Sequence, residues 1–376
     1  MPKEARKTLF VKRRSSGAQG PRNTIGTLMK WIGGVTAILS LIFGLYQITQ
    51  LLADVRERQR QVAELYKVGK DQQDAGNYES AWATFEQAAS TADSGGQLAK
   101  LTGQLGKERR ELREAQEGLA MAWVENVKVP QGKTFSDIVN KLVPALTRGA
   151  AGESGVRKAD LLAHLGWAYF LKARDDSLSL DDQVRLNIEQ HHREALEIDP
   201  GNPYAHVHLG HWKLWMGGEI EDARQHFSSA VASGRVRSYV RGIQLAAFHN
   251  RGEDGDAEVL RVVNDMIKDS ETVDTNTRSD VYGIYYFALN SDKSFQRLIA
   301  AVPATEQIGM IRALFYDADF DPSKIPTREI YLAMLQEAAG LRDEALKTWL
   351  AMRSGLSTDS IFTTRADASI KRLSKK

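Results

Sequence analysis

All eight histidines of this 376-residue chain lie between residues 164 and 249, at His164, His191, His192, His206, His208, His211, His226 and His249. Three of them crowd into the stretch GNPYAHVHLGHW, residues 201–212. On a helix His208 and His211 stand three apart and share a face, as two ligands of one zinc ion would. His206 is about 200° around the same helix from His208 and cannot readily join them. The cluster contains no Asp or Glu and no H-E-x-x-H motif occurs, so the stretch reads as scaffold, with a metal-dependent enzyme or metal sensor on the histidines as the alternative. Cysteine is absent, which removes disulfides, thiolate metal sites and cysteine nucleophiles together. The segment DADFDP, with Asp317, Asp319 and Asp321, opens like a calcium loop. Pro322 replaces its required glycine and Arg328 stands where the bidentate glutamate belongs, so it reads as an acidic loop. No P-loop, dinucleotide glycine motif or serine elbow is present.

What must position such residues is helix. Hydrophobic residues make up 42% of the chain and charged residues 26%, with only 9 prolines, a mixture that supports a core and favours an all-α fold. Residues 1–30 form a basic tail with eight Lys or Arg against the single Glu4, which leaves a net charge of about −5 on the remainder. No nucleic-acid footprint follows from that balance.

Residues 31–53, WIGGVTAILSLIFGLYQITQLLA, are uncharged and as helix span roughly 34 Å, against a hydrocarbon core of about 30 Å. They read as a transmembrane helix that stays attached, because the apolar run exceeds a signal-peptide core and no A-x-A site precedes DVRERQR. Eight basic residues precede the span and five, Arg56, Arg58, Arg60, Lys67 and Lys70, follow closely. The excess places the N-terminus in the cytoplasm and the C-terminal part outside an inner or plasma membrane, in a bacterium the periplasm. A cytoplasmic-facing regulator of a membrane effector is the reverse reading. Gly26, Gly33, Ala37, Ser40 and Gly44 share one face of the span, and Ile48, Leu52, Val55, Gln59, Val62 and Tyr66 continue a three-and-four pattern beyond it. A homodimer through the transmembrane helix and a short coiled coil fits that face, as do glycines merely tolerated in an apolar helix.

Beyond the membrane, two helical patterns meet at DAGNYES, where Gly76 and Asn77 provide a turn and Tyr78 begins the second helix. The pairing recurs. Leu162-x-x-Leu165-Gly166-x-x-Tyr169 opens a second unit closed by Pro200, and His206-x-x-Leu209-Gly210 opens a third. Ala81-x-x-x-Phe85 and Ala223-x-x-x-Phe227 mark second helices, and a degenerate final unit has Gly340, Ala345, Trp349 and Met352 in corresponding places. These residues resemble the tetratricopeptide (TPR) family, in the pattern W-x-x-L-G-x-x-Y, then A-x-x-x-F, then P. The likeness covers about a third of the chain. Residues 175–184 look like an insertion, and residues 97–127 read as one long amphipathic helix through Leu98, Leu101, Leu105, Leu112 and Leu119.

The resemblance implies an α-solenoid of stacked helical hairpins, with Gly69, Gly166 and Gly210 at close helix contacts. It divides the chain into the tail 1–30, the span 31–53, a juxtamembrane helix with the first hairpin and long helix over 54–125, a central array over 126–268, and degenerate repeats over 269–376, with the polar residues 269–280 as the internal boundary. The same register places Tyr66, Lys70, Gln73, Trp167, Phe170, Tyr204, His211, Leu214 and Trp215 on a concave partner-binding groove. The expected function is a non-catalytic membrane-anchored adaptor that needs no cofactor and holds a protein or peptide ligand for a membrane-associated complex.

Overall fold

The computed structural model describes residues 22–93, 105–129, 132–175, 182–249, 251–316, 320–356 and 361–375. They form sixteen α-helices and one short 3-10 turn, and no strand occurs among the described residues. The chain is all-helical. Two compact units divide between Leu119 and Ala120.

The first unit is built on α1 (Arg22–Asp74), a single helix of 53 residues. Its apolar first half contains a stretch of mean hydropathy 1.7 with none of it buried, long enough to cross a membrane. Trp31, Leu41 and Phe43 stand exposed there. Gly76, at φ +75°, turns the chain into α2 (Tyr78–Asp93), which packs back along α1. The hairpin closes on a contact without slack, because a Cβ at Gly69 would lie 2.6 Å from the Phe85 ring. Tyr66 lies against the same ring, 5.9 Å between centroids.

The three-and-four pattern after the span, where sequence suggested a coiled coil with a second copy, is covered in part from within this unit, with Val55 and Val62 buried and Ile48 exposed. Val55 packs with Leu105, and Gln59 donates to Glu108 at 3.0 Å. Leu105 immediately precedes and Glu108 lies in the first turn of α3 (Gly106–Glu125), which Arg109 ties to α2 through Ala92 and Asp93. The long amphipathic helix therefore begins at Gly106. Leu98 and Leu101 lie outside the described residues, as do the basic residues before Arg22, Asp317 and Asp319, most of the insertion, and the surroundings of Gly26 and Gly33.

In the second unit α4 (Phe135–Gly152) begins at a capping box, Thr134 and Asp137 each satisfying the other's backbone N–H. It packs on α5 (Gly155–Asp175), which pairs with α6 (Asp182–Ile198), and α7 (Pro203–Trp215) pairs with α8 (Ile220–Ala232). Each pair repeats the ring-on-glycine contact. At Gly210 the ring is Phe227, 2.8 Å from a built Cβ, although one extra residue separates the two compared with Gly69 and Phe85. The turn at Met216–Gly217 absorbs it, with Gly217 at φ +78°. At Gly166 the ring is His192, 2.6 Å away.

One apolar core then runs from Val207 to Ala366 through α9 (Arg237–Phe248), α10 (Gly252–Lys268), α11 (Thr275–Ala288), α12 (Asp292–Ala301), α13 (Ala304–Phe315), α14 (Ile325–Ala338), α15 (Arg342–Arg353) and α16 (Ile361–Leu373). The polar stretch 269–280 lies within it. Asp274 caps α11, Val273 is buried, and Asp269 and Glu271 receive Arg237 and Arg241. In the last hairpin Gly340 sits at φ +75° in the turn and makes no helix contact. Ala333, Ala345 and Trp349, all fully buried, repeat the intervals of Gly69, Ala81 and Phe85, so Ala333 fills the place that sequence gave to Gly340.

Helix propensity and packing oppose each other at these glycines, which makes the sign of a substitution a test. Gly309 on α13 has open space around a built Cβ, so Gly309→Ala is expected to stabilise by about 1 kcal/mol through propensity alone. Gly210→Ala meets the Phe227 ring and is expected to destabilise by ~1–3 kcal/mol, as overpacking does. Urea unfolding of the two variants checks both signs.

Candidate functional site

Three of the eight histidines are consumed by the interior of the second unit. His164, His192 and His208 are fully buried. The His208 ring stacks on Trp167, with centroids 4.5 Å apart and planes at 10°. Its Nδ1 faces the Ala163 carbonyl at 3.3 Å, and its Nε2 accepts from the Tyr239 hydroxyl at 2.7 Å. That pairing is the neutral ring with its proton on Nδ1. Burial holds its pKa well below the usual imidazole range, helped by the neighbouring His192 and His164.

His164 has an acceptor at both nitrogens, the Asp160 carbonyl at 2.6 Å and Glu125 Oε1 at 2.8 Å. Tyr204 packs on the His164 ring and hydrogen-bonds Glu125, and burial first, then Glu125 and Asp160, raise its phenol pKa. His192 donates from Nδ1 to the Ile188 carbonyl at 2.7 Å and leaves Nε2 buried without a hydrogen-bond partner. Burial depresses it to about 4, ahead of repulsion from His191, His164 and His226.

The pairing of His208 with His211 as metal ligands does not form. The reason is that His208 turns into the seam between α5 and α7 while His211 faces a different wall, and no three His, Asp or Glu side chains converge for a metal among the described residues. Asp321 accepts from the Ser323 backbone to cap a 3-10 turn, and Arg328 stacks 3.9 Å from the Tyr316 ring. That puts a cation at the carboxylate position of a calcium loop.

His211 instead lines an open groove of about 740 Å³ with Arg174, Leu214, Trp215, His249 and Arg251. Leu214 and Ala247 give it an apolar floor. Trp215 is 47% exposed, its ring edge-on to Phe170 at 5.6 Å. Burial and then Arg174 lower the His211 pKa to about 4. Its backbone hydrogen bond is to Ile243, and its Nδ1 is buried without a hydrogen-bond partner. Asp280 pairs with His249 at 3.6 Å, and Arg174 lies over the Phe135 ring. With Arg251 beside them, the polar rim is net positive.

Of the nine residues expected in a groove, His211, Leu214 and Trp215 line this one. Trp167 and Phe170, 5% and 1% exposed, are core, because α7 covers the face of α5 that carries them. Tyr204 belongs to the Glu125 network. Tyr66, Lys70 and Gln73 lie in the first unit, where Lys70 donates to Gln73 at 3.1 Å. Arg174, Arg251 and Asp280 were not legible, since single charges at a helix end or turn carry no sequence pattern. No protein-family model matches the chain, and no curated protein matches it.

The buried histidines make stability depend on pH. An imidazole at about 4 folded and about 6.5 unfolded binds more protons unfolded between those values, so stability falls as pH drops through that window and is retained above it. His192 alone accounts for a loss of ~3 kcal/mol. His192→Phe, which copies the ring of Phe85 and Phe227, is expected to flatten that loss when urea midpoints at pH 7.5 and 4.5 are compared.

Proposed function

We propose that this chain is a single-span, membrane-anchored adaptor of stacked TPR-like hairpins whose groove holds an extended acidic segment of a partner protein. The observation that carries the reading is Trp215, left exposed on the apolar floor beside Arg174 and Arg251. A large aromatic at the centre of a lined groove is the usual anchor of a protein contact. Arg174 and Arg251 favour carboxylates there, two cations against the single carboxylate of Asp280.

The repeated glycine-and-ring hairpins and the Leu-Gly, Ala-Phe spacings support the likeness to TPR proteins. A helix that exposes an apolar surface along its first half supports the anchor. The basic excess before it supports a cytoplasmic N-terminus and a C-terminal part outside the inner membrane. Assembly or regulation of a membrane-associated complex follows as the role.

Crosslinking in native membranes with mass spectrometry tests the groove. A Trp215→Ala, Arg251→Glu double variant is expected to lose its principal partner while unfolding as the parent chain does, with the tryptophan alone worth ~2 kcal/mol, about thirtyfold in affinity. Equal recovery of every partner by the variant defeats the reading. A reporter that folds only outside the cytoplasm, fused after Lys376, is expected to be active; an inactive one assigns the groove to the cytoplasm.

A further inference from the structure

One histidine pair belongs neither to the groove nor to the buried ring cluster. His206 on α7 and His226 on α8 meet across their hairpin with Nδ1 atoms 3.1 Å apart. His206 Nε2 lies 2.9 Å from the Pro200 carbonyl oxygen. A carbonyl only accepts, so Nε2 carries the proton and the Nδ1 of neutral His206 is a lone pair aimed at His226. Metal-binding histidines are held in this way, the far nitrogen donating to a backbone carbonyl while the near one is presented. Both rings are half-buried.

We infer that His206 and His226 form a two-imidazole site for a borderline divalent transition-metal ion, Zn²⁺ or Cu²⁺, clasping α7 to α8. Two nitrogens held at about 2.0–2.1 Å by one tetrahedral zinc are about 3.3 Å apart, so the present separation opens by a few tenths of an ångström to admit the ion. In the metal-free protein the proton between the two nitrogens sits on His226. On binding it moves to His226 Nε2, which frees Nδ1 without net proton release. No third side chain converges among the described residues, so water completes the shell. Asp222, one turn before His226, adds negative charge on the same side, its pair with Lys213 being loose at 3.8 Å. An imidazole pair discriminates against Mg²⁺ and Ca²⁺, which take oxygen ligands.

The test uses the full chain in detergent, without a polyhistidine tag, titrated with Cu²⁺, Zn²⁺ and Mg²⁺ by calorimetry. One Cu²⁺ or Zn²⁺ per chain is expected, and no Mg²⁺, with an electron paramagnetic resonance spectrum of Cu²⁺ carrying nitrogen hyperfine splitting. His206→Gln and His226→Gln are each expected to abolish that binding, His249→Gln to keep it, and all three to melt as the parent chain does in chelator. A variant-free measurement stands beside these: Zn²⁺ is expected to protect His206 and His226 of the unmodified chain from diethylpyrocarbonate. One-to-one binding that survives either glutamine substitution, or no protection of the two rings, overturns the site.

Discussion

A helical hairpin closes only as far as its side chains let the two backbones approach, and here that approach is set by a ring seated on a glycine. Gly69 under Phe85, Gly210 under Phe227 and Gly166 under His192 leave no room for a methyl group. Each such contact fixes the depth and register of its hairpin, and the apolar residues on either side are then brought to the surfaces that meet the next helices. Gly210 shows that this constraint governs over sequence spacing. The extra residue before Phe227 is expelled into a glycine turn, and the ring still reaches its seat.

The second unit uses the same seat to different effect by placing an imidazole on Gly166. A hydrocarbon ring there would be inert to pH, whereas His192 joins His164 and His208 in a buried set of polar rings held by backbone carbonyls, Glu125 and Tyr239, with only His192 Nε2 left unpartnered in the set. Buried polar groups of this kind tolerate few rearrangements, because each ring has its own partner. The set joins α3, α5, α6, α7 and α9, and that lattice presents His211 and Trp215 on the neighbouring wall.

Much of the architecture was legible because it rests on local chemistry. The turn at Gly76 and Asn77, the start of α2 at Tyr78, and the close approaches at Gly69, Gly166 and Gly210 follow from residue type and spacing. Other parts depend on which elements meet, and spacing does not report that. The repeat register implied by the TPR resemblance places Trp167 and Phe170 on a partner-binding wall, yet α7 covers them. The stripe from Val55 to Val62 reads as a seam for a second chain, but Leu105 and Glu108 of the same chain occupy it. His192 replaces an aromatic knob that the pattern expects as Phe, so the second hairpin hides its defining contact. Arg174 and Arg251 come together only through folding, as does the pair of His206 and His226.

The continuity of α1 has a mechanical consequence. From Arg22 to Asp74 the helix has no proline or break, so its apolar half and the half that carries the first hairpin form one rod about 80 Å long at 1.5 Å per residue. The stretch beyond Asp54 acts as a lever arm of roughly 30 Å, and with the apolar half seated in a bilayer a 10° tilt would swing the Gly69 hairpin sideways by about 5 Å. Bilayer thickness and tension would thus be felt at α2 as displacement rather than dissipated in a flexible linker.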